Sequence, residues 1–334
     1  MDMLEVICYG GVGEIGGNKI LLRDSGSSIM LDFGKSFSAE GRYFDEFLQP
    51  RTNSCLRDLL SLGILPKIPG IYRDDLLTHG GVWDTLESRG IPNHAKYLYV
   101  NDLEGYEDYE KKHGSALDGI LLSHAHTDHA QNLCYVDPRI PIYCTQATLS
   151  ILTAAEEIGK GSYESDLIYC RTRRISACGD KSTFPGALKI DTDGPGIQRD
   201  FRVVEPYNSF SVGGFGVTCI PVDHSVPGAC AFYIISPSNK KVFYSGDLRF
   251  HGRFSEEPND LTRSLRAFTK GLEPDVVITE GTRIDSNSSD CEQDVEDNQE
   301  SSRSVKDPQL LILDGRTQPD LKRFETWRKE RTGF

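Results

Sequence analysis

The chain has no Cys-x-x-Cys pair among its nine cysteines. An odd number of scattered thiols argues against a disulfide framework and fits a reducing, cytoplasmic setting. No apolar run approaches the roughly 18–20 residues that a bilayer crossing needs, so no membrane partner is expected. The first residues, MDMLEVICYGG, lack the basic stretch and apolar run of a secretory signal. There is no internal repeat. Positive charge is in short supply: 37 Lys and Arg stand against 50 Asp and Glu, a net charge of −13. That balance argues against a generic nucleic-acid coat. It leaves room for an enzyme that handles phosphates through metal ions and a local basic strip. What is present is an ordinary apolar fraction, 38% over 334 residues, enough for one big core or two.

Local patterning predicts an α/β chain. Leu4–Tyr9 reads as a strand, followed by the glycine loop GGVGEIGG. Asn18–Leu22 and Ser28–Asp32 read as a hairpin turning at Asp24-Ser25-Gly26. From about residue 40 to 113 short helical segments, among them Tyr43–Leu48 and Cys55–Leu62, are broken by Pro66, Pro69 and Pro92, which reads as a helical insertion. Leu117–Ser123 and Pro141–Cys144 are apolar strands. Thr145 is placed to cap a helix reaching about Ile158, with Ile151, Ala155 and Ile158 on one face. The stretch from about 159 to 198 is polar and glycine-rich, with a basic knot of Arg171, Arg173 and Arg174. Further strands are expected near Phe201–Val204, Phe215–Pro221, Ala231–Ile235, Val242–Ser245 and Val276–Thr279. Asp285–Ser302 holds seven acidic residues and no basic one, the composition of a solvated linker. Beyond it Leu310–Leu313 reads as a strand and Asp320–Arg331 as a helix.

The chemistry concentrates in LLSHAHTDHA, residues 121–130, where His124, His126 and His129 stand with Asp128. The bland reading is a polar turn that happens to be rich in histidine. The sharper one is half of a metal cage, since imidazole and carboxylate are the usual ligands of zinc and similar ions. In extended chain, residues i and i+2 point the same way, so His124 and His126 can grip one ion. Asp128 and His129 lie past the bend and can grip a second. Two ions need further ligands and a bridging carboxylate, and two later strand ends offer candidate residues: His224 in VDHSVPGA and Asp247 in VFYSGDLRF. His79, His94, His113 and His251 read as ordinary polar residues.

One competing motif is set aside. Gly11–Gly16 matches G-x-G-x-x-G, and Asp32 stands at a dinucleotide-like distance beyond it. That fold needs a helix directly after the glycines, whereas Asn18–Leu22 reads as a strand. The glycines fit better as a loop that lets backbone pass close to the metal site.

With those residues in view, the chain resembles the metallo-β-lactamase superfamily, within it the β-CASP nucleases, and among those the ribonuclease J-like proteins. The phrases that carry the resemblance are GGVGEIGGNKILL, MLDFG, HAHTDH, PVDHSVPGACAFYI, VFYSGDLRF and DVVITEGTR. It covers most of residues 1–283 and is weaker across the insertion and the 159–198 stretch. The resemblance implies a metallo-β-lactamase αββα sandwich over residues 1–284. It also implies an acidic linker over 285–305 and, over 306–334, the beginning of a truncated β-CASP cap domain. It implies two zinc ions, with Mn2+ or Mg2+ able to replace them: His124, His126 and His224 on one, Asp128 and His129 on the other, Asp247 bridging. Asp32 would orient a ligand histidine. Glu280 would support the site or help the leaving group. Family members carry two further histidine motifs after the cap, and this chain ends before them.

The function expected from this resemblance is RNA cleavage by a hydroxide activated at a dinuclear metal centre, with single-stranded RNA as the partner. Whether the chain forms a homo-oligomer is left open. Asp128, Asp247, Asp32 and Glu280 are the residues expected to serve the reaction itself. Arg171, Arg173 and Arg174 either touch the RNA backbone or form a solvated surface loop, the commoner fate of such a run. Two rivals stand beside the nuclease: a metallo-hydrolase of a small ester, thioester or lactone, and an inactive subunit of a nuclease.

Overall fold

The computed structural model describes residues 3–44, 55–77, 102–158, 166–177, 188–249, 261–280 and 309–313. Three antiparallel strands come first: β1 (Glu5–Gly10), β2 (Lys19–Asp24) and β3 (Ser27–Leu31). The turn between β2 and β3 uses Ser25 and Gly26, both at positive φ, which suits the right-handed twist of a tight hairpin. A helical stretch comes next, α1 (Phe37–Glu40), α2 (Cys55–Ser61), α3 (Asp74–Leu77) and α4 (Tyr106–His113). Then come β4 (Gly119–Leu121), α5 (Thr127–Ala130), β5 (Ile142–Cys144) and α6 (Gln146–Ile158). A two-stranded hairpin of β6 (Tyr169–Ala177) and β7 (Leu188–Gln198) precedes the short β8 (Phe201–Val203). The remainder is β9 (Ser209–Val212), β10 (Phe215–Pro221), β11 (Cys230–Ile235), β12 (Lys241–Tyr244), α7 (Leu261–Thr269), β13 (Val276–Glu280) and β14 (Gln309–Leu313).

The strands assemble into two main sheets, ordered β1-β2-β3-β4-β5-β8 and β14-β13-β12-β11-β10-β9. Successive side chains of a strand face opposite ways, so each sheet can bury one residue set inward and the other outward. Ile20, Leu22, Ile29, Leu31 and Leu121 of the first sheet meet Val217, Cys219, Phe232, Ile234 and Tyr244 of the second, forming the core between the sheets. The alternate residues Leu21, Met30, Ile120 and Ile142 face a separate core that α2, α3 and α6 close with Leu56, Leu59, Leu76 and Leu152. On the far side of the second sheet Ile220 and Ala231 pack with Leu265 of α7. The order helix, sheet, sheet, helix is the expected αββα sandwich. Each fully buried aliphatic or aromatic side chain contributes about 1.5–3 kcal/mol, so these three clusters are a main source of stability.

The helical insertion is not a peripheral addition. Leu56, Leu59, Ile64, Leu65, Ile71 and Tyr72 are buried in the main core, so this segment is the outer layer over the first sheet. Thr145 caps α6 as expected, accepting from Thr148 N at 3.3 Å. The buried face of that helix differs from the expected one: Thr148 and Leu152 are buried, whereas Ile158 is 82% exposed. The described parts of the 159–198 stretch form β6 and β7 rather than loop, and β9 was not anticipated. Tyr43 stands in a turn, with the rest of Tyr43–Leu48 largely outside the described residues. The acidic Asp285–Ser302 segment, the 320–331 helix, His79, His94 and His251 also lie outside them.

Candidate metal centre

Strand direction decides where the site is. β3, β4 and β5 run parallel, and β10 and β12 share one direction because each pairs antiparallel with β11. Their carboxyl ends meet at one edge of the sandwich. Asp32 comes just after β3, His124 after β4, His224 after β10 and Asp247 after β12, while Glu280 ends β13. Cys230 N donates to Ser123 O at 3.0 Å, tying the second sheet to the first at that edge.

After β4 the chain stays extended through His126, whose φ of −67° and ψ of 151° put it at the N-cap of α5. Its side chain makes no capping bond and is left to face the centre. His124 Nε2 and His126 Nδ1 lie 3.0 Å apart, and His224 Nε2 lies 3.2 Å from His126 Nδ1. Asp247 Oδ2 completes this group, 3.5 Å from His224 Nε2 and 3.8 Å from His124 Nε2. One turn of α5 carries Asp128 and His129 to the other side. There His129 Nε2 is 3.2 Å from Asp247 Oδ1 and 3.9 Å from Asp128 Oδ2. The two groups, His124/His126/His224/Asp247 and Asp128/His129/Asp247, each keep their ligand atoms within 4.8 Å of one another and share one carboxylate.

The donor set fits divalent ions on an observation of its own. Asp247 Oδ1 is buried and lacks a hydrogen bond of good geometry, an expensive state for a carboxylate oxygen unless a cation meets it. Burial, then the neighbouring imidazoles of His129, His224 and His126, hold His124 well below the usual histidine range. It is therefore in the neutral form that binds metals. His129 goes the other way: burial pushes it down, but Asp32 and Asp247 outweigh burial and hold it well above that range. Burial pushes Asp247 up, and the His129 imidazole with its neighbours reverses this and leaves it low.

Asp32 anchors the arrangement from beneath. It is fully buried, at a positive φ of 54° that aspartate tolerates better than most residues. Its Oδ1 accepts from Ser123 N at 2.7 Å, and its Oδ2 accepts from Ser123 Oγ at 2.7 Å and from Tyr244 Oη. His129 Nδ1 lies 2.8 Å from the same Oδ2, which aims Nε2 at Asp247. Glu280 Oε1 accepts from Leu248 N at 2.7 Å and so braces the backbone next to Asp247. The glycine loop closes one wall. Gly17 N donates to Asp128 O at 3.0 Å, and a Cβ on Gly16 would come within 2.3 Å of Asp128 Cβ. The loop leads into strand β2 and not into a helix, which removes the dinucleotide reading.

Sequence reasoning missed three supports. Tyr244 reads as part of a strand, Ser123 as a strand terminus and Asn18 as the first residue of a strand, and none carries a spacing signal. Asn18 Nδ2 lies 3.4 Å from His129 Nδ1. The basic knot departs from the expected surface loop. Arg171 Nη2 and Arg173 Nη2 hold Asp166 at 2.7 and 3.2 Å, and Arg73 Nη1 joins them at 3.4 Å. Two of the three arginines therefore neutralise a fully buried carboxylate instead of standing free in solvent. The side chain of Arg174 lies outside the described residues. His113 is on α4, 3.8 Å from Glu104 and apart from the centre.

An αββα sandwich with a clustered His/Asp site that fits divalent metal at the strand ends defines the class of metallo-β-lactamase-fold hydrolases. A model of the beta-lactamase superfamily domain matches residues 106–313, and the chain belongs to that superfamily. Among curated proteins it is 28% identical over 200 residues to endoribonuclease ysh-1 of Neurospora crassa, covering 57% of this chain and 20% of that protein. It is 21% identical over 273 residues to ribonuclease J of Helicobacter pylori, covering 80% of this chain and 27% of that protein. The chain thus spans between 20% and 27% of these relatives' length. Among solved structures, a protein of unknown function from Enterococcus faecalis superposes with a TM-score of 0.55 at 21% identity, covering 89% of this chain and 56% of the other. That likeness is one of fold. No helix among the described residues is long and apolar enough to cross a membrane.

Proposed function

We propose that this chain is the metal-binding portion of an RNA phosphodiesterase that works with two divalent ions, zinc being the expected pair and Mn2+ or Mg2+ able to replace it. The observation that carries the reading is the shared carboxylate: Asp247 belongs to both ligand groups, with Oδ2 toward one and Oδ1 toward the other. Held there, two ions would make a water acidic enough to attack near neutral pH and would neutralise charge on a phosphodiester. His124, His126 and His224 would hold one ion, Asp128 and His129 the other, and Asp247 would set their separation. Asp32 keeps the Nδ1 proton of His129 and so presents Nε2 as a ligand. Glu280 acts through Leu248, fixing the loop that bears Asp247. The names of the curated relatives support RNA as the substrate class, and residues 306–334 as the start of a cap domain belong to the same proposal. β14 runs parallel to β13, extending the second sheet.

The test is turnover by the purified chain of a labelled single-stranded RNA and of a neutral thioester or lactone, with zinc or manganese. RNA cleavage that disappears in Asp247→Ala, together with loss of bound metal, is expected. Turnover of the neutral ester alone would replace the nuclease by the small-substrate reading. A chain that binds two ions and processes neither substrate would be the inactive-subunit case.

A further inference from the structure

We propose that Arg249 binds the phosphate of the substrate beside the metal centre and selects an anionic ester over a neutral one; this rests on the phosphodiesterase reading. Arg249 lies two residues past Asp247. Its backbone N donates to Asp223 O at 2.8 Å, and its Nε donates to Asp223 Oδ1 at 3.1 Å. The Asp223 carboxylate is fully buried, and the next residue is His224. The guanidinium is therefore anchored between the two loops that supply His224 and Asp247.

The anchor uses Nε alone. Neither terminal nitrogen of Arg249 makes a hydrogen bond among the described residues, and the side chain is 33% exposed. A guanidinium held by its Nε leaves its two terminal nitrogens as a fixed fork, the shape that matches two oxygens of a phosphate. Among the described residues, other lysines and arginines are committed elsewhere. Lys19 is 1% exposed and donates to Gly17 O at 3.0 Å, and Lys35 is paired with Glu40 at 2.6 Å. Arg171 and Arg173 are held by Asp166. Two bound dications would meet the charge of the ligand carboxylates, and a phosphodiester would bring its own negative charge to Arg249. A neutral ester or lactone offers the fork a carbonyl oxygen but no negative charge.

The experiment compares wild type, Arg249→Met and Arg249→Lys as full chains loaded with the same metal. A fluorescent phosphorothioate single-stranded RNA is titrated at several salt concentrations, and metal content is measured alongside. Arg249→Met is expected to weaken binding ~10–100-fold, the effect of losing a charge-assisted hydrogen bond. The slope of log affinity against log salt should become shallower by about 0.7, the value for one phosphate of a single strand. Arg249→Lys should keep the slope, and all three proteins should hold equal metal. A purely structural brace would not move the salt slope. Wild-type affinity and slope in Arg249→Met would overturn the proposal, as would loss of metal with an unchanged slope. Wild-type protein that binds no RNA yet turns over a neutral ester would sink the phosphodiesterase reading itself, and that result is visible before any variant is made.

Discussion

Replacing Asp32 with asparagine exchanges one oxygen for an NH2 group and is expected to weaken binding of the second metal ion while the fold survives. The amide cannot choose its orientation freely. Ser123 N is a fixed donor that needs the oxygen at 2.7 Å, so the NH2 must occupy the Oδ2 position. Three groups face that position: Ser123 Oγ, Tyr244 Oη and His129 Nδ1. The two hydroxyls can rotate and accept. His129 can comply only by giving up its Nδ1 proton, which moves the proton to Nε2, the atom 3.2 Å from Asp247 Oδ1. A protonated Nε2 has no lone pair for a metal. Losing such a support for a ligand histidine typically costs about 10–100-fold in metal affinity, or roughly 1.4–2.7 kcal/mol. Metal content by plasma mass spectrometry and calorimetric titration should show one ion retained and the other weakened. The metal-free protein should lose about 1.5–3 kcal/mol, one hydrogen bond to a charged group. The pH dependence has a definite sign. Burial lowers His129, but Asp32 and Asp247 raise it further, so its folded value lies above the ordinary ~6.5. Its stabilisation is then complete below about pH 6.5 and fades as pH rises through the folded value, and Asp32→Asn should flatten that fade. Two ions bound at wild-type affinity in the asparagine variant would refute the tautomer argument.

Metal uptake at the Asp128–His129 side should release the His129 proton, so affinity there should rise with pH; calorimetry in buffers of different ionisation enthalpy checks this. Gly34→Ala should destabilise by about 3 kcal/mol or more and disturb metal binding, because its Cβ would fall 1.5 Å from Asp128 O and 2.5 Å from His129 N; chemical denaturation with metal titration reads both effects. Asp166→Ala should cost about 3–5 kcal/mol by removing the fully buried carboxylate that Arg73, Arg171 and Arg173 share, although Arg73 keeps Asp75 at 2.9 Å, with ligand geometry untouched, so melting temperature should fall while metal stoichiometry holds. Glu280→Gln keeps an acceptor for Leu248 N, so its metal content should match wild type; a lost ion there would mean the carboxylate charge, not its hydrogen bond, holds the Asp247 loop.

Much of the candidate site was legible before folding was considered. His124, His126, Asp128 and His129 lie within six residues, and the geometry of an extended chain entering one helical turn places them without help from distant contacts. The strands were legible for the same reason: Phe215–Pro221 alternates inward and outward residues and sits on the same span in the fold. The face of α6 was not, because its apolar residues form more than one stripe and only the sheet beneath selects Thr148 and Leu152. Nor was the fate of Arg171 and Arg173, since a buried Asp166 cannot be told from an exposed one by its neighbours in sequence.

The sequence by itself determined the ligand types, their short spacing, the strands that end in them and the charge balance of the chain. Only the tertiary structure decided that Asp247 lies between both ligand groups. It also decided that Asp32 and Tyr244, 212 residues apart, meet under His129, and that Asp223 holds Arg249 beside the centre. The physical reason is range. Backbone geometry relates residues a few positions apart, whereas these contacts exist because two separately hydrophobic sheet faces exclude water against each other and bring their strand ends to a common edge.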